Sequence, residues 1–416
     1  MSKFIVQGGS ALAGSISVGG SKNAALAVLS ATILAADECV VENVPDILDV
    51  RNFLKILEHL GAKVRFEDHV VLVDTRNMQS RQVPPELASA LRGSVLTAGP
   101  LLGRFGEAVI VKPGGDAIGH RPMDVHLEGF RKLGASVTEG QTIKLQGQLT
   151  GATLVLPVPS VTGTENLIMA AVMAKGQTEI KTAAAEPHVQ DLCNFLTAMG
   201  AKIDGIGTPT LRIAGSAPLH GARWRLCSDE IETVTLCAAA TATGSALTIT
   251  NVDLVHLDAP LAAMERMKIK FTAQNSTIQI HKPQELYLAT NIVTGVYPQL
   301  LTDEQPLFGV LATLAVGETS IHDWIYEGRQ GYLLALKKMG ANVILEDKNH
   351  ARISGPTKLH GAEIMTPDLR AGASILIAAL VARGQSIIYN AEIIDRGYER
   401  LDERLRTLGA NILRAD

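Results

Sequence analysis

Aromatic residues make up only 4% of the 416 residues, so the core has to be filled by aliphatic side chains. Cysteine is also scarce. Cys39, Cys193, Cys227 and Cys237 show neither a CxxC pair nor a histidine-paired metal spacing. That excludes a disulfide scaffold and a zinc module, and it fits small apolar side chains of a reducing compartment. Positive charge is not in excess: 38 − 42 gives a net charge of −4. A nucleic-acid surface as the main business of the chain is thereby excluded, although local cation clusters for small anions are not. Long apolar runs are missing as well. Ala24–Ala36 (AALAVLSATILAA) is interrupted by serine and threonine, and it falls short of the roughly 20 residues a bilayer requires. The opening MSKFIVQGGS has no basic segment followed by an apolar stretch, so no signal peptide is read. These absences predict a soluble, cytoplasmic protein with no membrane insertion and no metal site.

Present instead are 46% hydrophobic and 19% charged residues, enough for one large or two ordinary domains. One phrase recurs: Leu or Met, Gly-Ala, a polar residue, then a β-branched one. It reads LGAKV (Leu60–Val64), LGASV (Leu133–Val137), MGAKI (Met199–Ile203), MGANV (Met339–Val343) and LGANI (Leu408–Ile412). MERMKIKF (Met264–Phe271) keeps the rhythm without Gly-Ala. A period of roughly 70 residues exceeds solenoid repeats, so each unit is a compact block. A second phrase ends Ala-rich runs: VMAKGQTEI (Val172–Ile180), TATGSALTI (Thr241–Ile249), LAVGETSI (Leu314–Ile321) and VARGQSII (Val381–Ile388). Ala-rich runs with apolar residues three and four apart read as buried helices capped by the glycine, and the β-branched stretches read as strands. Each unit thus reads helix, strand, helix, strand, with hairpin strands such as Val70–Asp74 appended. Six units split into two domains of three, and ligand sites favour the cleft between domains.

Charges stand at the junctions. Lys22 and Asn23 follow Gly19-Gly20-Ser21, Arg92 opens the second Ala-rich helix, and Arg370 opens the sixth. Arg329 lies in YEGRQGY and Arg396 in DRGYER. Singly, each reads as an exposed ion pair. Lys22, Arg92 and Arg370 share a place at the starts of equivalent helices, which already favour anions. Asp229, Glu230 and Glu232 precede the fourth helix, Asp303 and Glu304 the fifth, where acids are ordinary caps. Within 111–122, VKPGGDAIGHRP, an aspartate after two glycines reads on its own as a turn residue.

The stretches GGSKNAALAVLSATILA, VKPGGDAIGHRPMDVH, PSVTGTENLIMAA, LTDEQ, TPDLRAGAS and DRGYERLDERLRTLGAN run in order from one end of the chain to the other. In this the sequence resembles the UDP-N-acetylglucosamine 1-carboxyvinyltransferases. The resemblance implies an α/β fold, the two-domain inside-out α/β barrel of enolpyruvyl transferases, with six βαβαββ-type repeats. Domain I would be 20–227 and carry the glycine-rich loop 111–122, and domain II would be 1–19 plus 228–416, with the active site in the interdomain cleft. It also implies the reaction. The 3′-hydroxyl of UDP-N-acetylglucosamine attacks C2 of phosphoenolpyruvate while C3 gains a proton, and the phospho-ketal then loses phosphate and a C3 proton. No cofactor is implied. This is the first committed step of peptidoglycan precursor synthesis.

By resemblance, Lys22, Arg121 and Arg396 face the phosphoenolpyruvate phosphate with Arg92 nearby, and Arg329 and Arg370 hold its carboxylate. Asp303 is the general base beside the sugar hydroxyl, and Asp368 a second acid near C3. Asn23 contacts the sugar, and Ile325 is the backbone position for the N-acetyl group. Arg121, Pro122, Asp124 and Val125 match the uracil strip, and Ser160, Val161, Thr162 and Gly163 the loop whose amides meet the diphosphate. Asp116 stands where most of the family has the cysteine that protonates C3 and that fosfomycin alkylates. With the whole-chain resemblance, the catalytic reading of Asp116 overtakes the turn reading and predicts insensitivity to fosfomycin.

Some positions depart from the family pattern. Glu230 replaces a basic residue, Leu301 a proline and Glu304 an apolar residue; Pro157-Val158-Pro159 lacks a lysine, and Ala185 replaces an arginine. Besides the peptidoglycan transferase, two readings stay open: an enolpyruvyl transferase acting on another nucleotide or on shikimate 3-phosphate, and a non-catalytic paralogue that binds the sugar nucleotide. The VTGTEN and HRPMD segments weigh against the shikimate version.

Overall fold

The structure, a computed structural model, describes residues 2–111, 119, 122–216 and 218–416. Asp116 and Arg121 lie outside the described residues. Six helices form the framework: α1 (Lys22–Ala31), α2 (Ala98–Phe105), α3 (Val161–Ala171), α4 (Glu230–Ala242), α5 (Gln305–Ala312) and α6 (Leu369–Val381). Most of their residues are buried, and α4 and α6 lack a polar face, as helices enclosed on all sides must. Every residue of α4 from Glu230 to Thr241 is buried, and every residue of α6 from Leu369 to Leu380. Arg92 begins a 3₁₀ segment, Arg92–Thr97, that leads into α2, rather than the helix itself.

The chain forms two compact units. Of the described residues, 20–111, 122–216 and 218–227 form unit I, which holds α1 to α3, and 2–19, 119 and 228–416 form unit II, which holds α4 to α6. In unit II the three helices pack pairwise on one another. Among the described residues each unit has three sheets, all four-stranded except Glu107–Val111 with Thr142–Gln146 and Ser136–Glu139. Buried and less buried residues alternate along strands such as Gln177–Lys181, so these sheets turn one face inward and one outward. The α/β architecture is therefore helices inside and sheets outside within each unit.

Strands on either side of one helix lie parallel. Thr153–Val155 pairs with Gln177–Lys181 across α3, Ile292–Val293 with Gly317–His322 across α5, and Glu363–Met365 with Gln385–Tyr389 across α6. Around α1 and α4 the strands are exchanged. Ala13–Ser17 precedes α1 but pairs with Ala246–Thr250, which follows α4, while Arg223–Arg225 precedes α4 but pairs with Glu38–Glu42, which follows α1.

The repeated phrase has a conformational cause. Gly61, Gly134, Gly200, Gly340 and Gly409 all have φ between 93° and 107°, the left-handed turn that ends a helix and releases the chain into a strand. In the degenerate copy Lys268 takes that place with φ 62°. The glycines expected as caps of the Ala-rich helices are corrected in part. Gly244 directly follows the cap of α4, but Gly176, Gly317 and Gly384 lie further on. After α3, the amides of Met173 and Ala174 reach the carbonyls of Ala170 and Ala171, so a tightened last turn satisfies the chain before the glycine is reached.

Small residues let the helices touch backbone to backbone. At Gly99 an added Cβ would stand 2.2 Å from the Asn166 carbonyl oxygen of α3. Gly99→Ala should therefore lower stability by about 1–3 kcal/mol, read as a lower urea midpoint at constant slope; an unmoved midpoint would contradict this packing.

Candidate active site

Unit II places several buried charged residues at or near the starts of α4, α5 and α6. Arg329, 2% exposed, leads the 3₁₀ turn Arg329–Gly331, and Arg370, 3% exposed, lies in the first turn of α6. Both meet Asp303. Arg329 Nη2 donates to Oδ1 at 2.5 Å and Arg370 Nε to Oδ2 at 3.1 Å. Arg329 Nε reaches Thr302 Oγ1 at 3.2 Å, and its Nη1 lies 3.7 Å from Asp368. Asp303 thus caps no helix; it is a counter-ion. Asp368 is the cap of α6, accepting the Arg370 and Ala371 amides at 2.9 and 3.0 Å. Arg370 Nη1 is buried with no hydrogen-bond acceptor among the described residues. Its guanidinium lies 5.3 Å from the centroid of the Tyr398 ring, whose hydroxyl meets Thr235 Oγ1 at 3.0 Å.

Asp323, absent from the sequence-predicted set, organises the loop that carries Ile325 and Arg329. Fully buried, it accepts from Thr302 Oγ1 at 2.7 Å and from the Ile325 and Tyr326 amides at 3.1 and 3.2 Å. The Ile325 amide is therefore engaged, and only the carbonyl side of that position remains for a ligand. Asp229 caps α4 by accepting the Glu232 amide at 2.8 Å. Burial first, then Glu230, pushes its carboxyl up to about 6. Two of the family departures meet here. Burial holds the Glu304 carboxyl well above the usual range against the pull of the Leu301 amide, and Glu230 adds to the rise.

In unit I, Ser21 caps α1 through the Ala24 amide at 3.4 Å, and Lys22 Nζ lies 3.1 Å from Asp49, which is fully buried. Asn23 follows in the first turn, half-buried. Ser160 caps α3 through the Gly163 amide at 3.3 Å, and its own amide donates to the Val158 carbonyl at 2.7 Å. That leaves the amides of Val161 and Thr162 as the first-turn donors of the loop. Pro122 and Asp124 are exposed at the start of the helix Asp124–Lys132, while Val125 is buried. His126 is the unpredicted residue here. Burial pushes its imidazole down to about 3, with the Arg92 charge acting the same way. The neutral ring bridges Thr162 Oγ1 at 3.3 Å and Asn166 Nδ2 at 3.1 Å. Asn166 in turn holds the Val95 carbonyl and the Gly99 amide. Arg92, half-buried, stands three residues before Val95 and is close enough for its charge to act on His126.

Among the described residues no group of three or more His, Cys, Asp or Glu is placed to hold a metal, and no helix is long and apolar enough to cross a membrane.

A buried acid in unit I supplies a pH test. Burial pushes the Glu165 carboxyl from 4.5 up to about 7, His188 opposing and Glu186 adding. The folded value lies above the unfolded one, so this stability is present below pH 4.5 and is lost as pH rises through about 7. Glu165→Gln removes that loss. Between pH 4.5 and 8 the variant should gain on the parent by up to roughly 3 kcal/mol in urea unfolding; an equal difference at both pH values would contradict it.

The sequence profile of the EPSP synthase (3-phosphoshikimate 1-carboxyvinyltransferase) family matches residues 6–405. UDP-N-acetylglucosamine 1-carboxyvinyltransferase of Hydrogenovibrio crunogenus is 41% identical over 419 residues, covering 100% of both chains. The protein of that name from Magnetococcus marinus is 41% identical over 417 residues, covering 100% of this chain and 99% of its own. Among solved structures, the enolpyruvyl transferase NikO from Streptomyces tendae superposes with a TM-score of 0.92 at 24% identity, over 100% of this chain and 99% of its own. EPSP synthase from Acinetobacter baumannii gives 0.80 at 19% identity with both chains fully covered; these two likenesses concern the fold. With the profile and the full-length relatives in agreement, the chain belongs to the EPSP synthase family and, within it, to the UDP-N-acetylglucosamine 1-carboxyvinyltransferases.

Proposed function

We propose that the protein transfers the enolpyruvyl group of phosphoenolpyruvate to the 3′-hydroxyl of UDP-N-acetylglucosamine, releasing phosphate, as the first committed step of peptidoglycan precursor synthesis in the cytoplasm. The observation that carries this reading is the buried pair Arg329 and Arg370 sharing the carboxylate of Asp303, with Arg370 Nη1 lacking an acceptor among the described residues. A second carboxylate is the ligand such donors fit, since guanidinium forks bind carboxylates in two-pronged fashion. The full-length relatives named for this activity support the acceptor.

In this reading the phosphoenolpyruvate carboxylate draws Arg329 and Arg370 toward itself. That releases an Asp303 oxygen to accept the proton of the sugar 3′-hydroxyl as it attacks C2. Asp116, outside the described residues, gives C3 its proton, and Asp368 lies near C3. Lys22, Arg121 and Arg396 neutralise the phosphate, with Arg92 beside them, and stabilise it as it leaves. Asn23 and the Ile325 backbone hold the sugar. Arg121, Pro122, Asp124 and Val125 hold the uracil, and the loop Ser160, Val161, Thr162 and Gly163 holds the diphosphate at the start of α3.

Purified protein should release phosphate from phosphoenolpyruvate only when UDP-N-acetylglucosamine is present, and Asp116→Ala should abolish the release. Fosfomycin should leave both the activity and the intact mass unchanged. Nucleotide binding without phosphate release would favour a sensor, release with another nucleotide alone would move the acceptor, and a fosfomycin adduct that inactivates would remove Asp116 from its role.

A further inference from the structure

The segment that delivers Arg396 is fastened from an unexpected direction. Arg396 ends the 3₁₀ turn Ala391–Arg396, which packs on α6. The preceding residue, Asp395, is gripped by Arg414 of the strand Asn411–Ala415: Nη1 donates to Oδ2 and Nη2 to Oδ1, both at 2.7 Å. The same Nη2 reaches Asp402 Oδ1 at 2.9 Å, and Asp402 is 1% exposed at the start of the helix Leu401–Thr407. The Arg414 guanidinium also lies 4.7 Å from the centroid of the Phe4 ring, on the strand Lys3–Gln7 that pairs with its own. On the far side of Arg396, the amides of Gly397 and Tyr398 both bond to the Ile394 carbonyl. Tyr398 itself is fixed by Thr235 and lies against Arg370. Arg396 thus sits between two anchors, one of which is a two-pronged ion pair.

Exposed ion pairs contribute little to stability, but this one is a planar fork joined to two carboxylates and stacked on a ring. An ammonium matches its charge and not its geometry. We infer that Arg414 is a positioning residue for Arg396, acting through Asp395 to hold the guanidinium that meets the phosphate of phosphoenolpyruvate. The inference rests on the reading of Arg396 as a phosphate ligand.

The test compares Arg414→Lys, Asp395→Asn and Arg396→Ala, singly and with Arg414→Lys added to Arg396→Ala, by steady-state kinetics with each substrate varied. Arg414→Lys should raise KM for phosphoenolpyruvate about tenfold, leave KM for UDP-N-acetylglucosamine unchanged and keep the thermal midpoint. Asp395→Asn should show the same split, which covers the case of a poorly folding Arg414 variant. On top of Arg396→Ala, Arg414→Lys should add nothing, since both act on one interaction. If Arg396→Ala raises this KM while Arg414→Lys and Asp395→Asn leave it alone, or raise both KM values together, the positioning role is overturned. A fully additive effect in the double variant would overturn it as well. If Arg396→Ala itself leaves KM for phosphoenolpyruvate unchanged, the phosphate reading of Arg396 fails, and the inference falls with it.

Discussion

Two guanidinium groups, each almost wholly out of solvent, share the carboxylate of Asp303, and the rest of unit II is arranged to make that tolerable. A buried cation without a partner costs several kcal/mol, so removing one member of such a group is far more damaging than the worth of the contact suggests. The loop carrying Arg329 is tied down by Asp323, and the turn carrying Arg370 by Asp368. Both guanidinium groups are thus kept together beside Asp303, where an incoming carboxylate can draw on them, and donors placed in advance are what electrostatic stabilisation of a reacting group requires.

The location of that chemistry follows from the helices. A helix enclosed on nearly every side and built largely from alanine, leucine, isoleucine and glycine has little room for charge along its flanks, and where α3 does bury Glu165 its carboxyl is pushed up. Its ends are where polar groups are both needed and allowed, because the first-turn amides have no partner within the helix. Ser21, Ser160, Asp229 and Asp368 satisfy those amides. The residues proposed to meet substrate stand one or two residues away, at Lys22, Thr162 and Arg370, Thr162 through its backbone amide. The repeat that shapes the core therefore also sets the spacing of the site. Exchanging Ala13–Ser17 and Arg223–Arg225 between the units gives α1 and α4 the same parallel strand support that the other helices obtain locally.

Much of this was legible in the sequence. The six-fold rhythm was carried by glycines whose positive φ is a steric requirement, so the pattern had a physical cause that any reader of the chain could find. The copy with Lys268 shows that the turn survives where the glycine does not. The cations at helix starts were legible because so little charge lies elsewhere in the Ala-rich runs. Asp49, Asp323 and His126 were not. Each looks like an ordinary residue of a helix turn or loop, and each acquires its role only from partners brought near by folding: Lys22, Thr302 with the loop amides, and Thr162 with Asn166. Asp303 was identified as a site acid by resemblance, but its engagement by two arginines has no local sequence signal.

The central claim is addition of a hydroxyl across the double bond of phosphoenolpyruvate followed by elimination of phosphate, and the fate of the C3 hydrogens tests it most directly. The measurement is proton and phosphorus NMR of the protein with phosphoenolpyruvate and UDP-N-acetylglucosamine in deuterium oxide. The account predicts inorganic phosphate and a nucleotide-linked vinyl ether in equal amounts, with deuterium entering the vinyl group because C3 gains a solvent deuteron before it loses a proton. Phosphate appearing without a vinyl ether, or a vinyl ether carrying no deuterium, would contradict it.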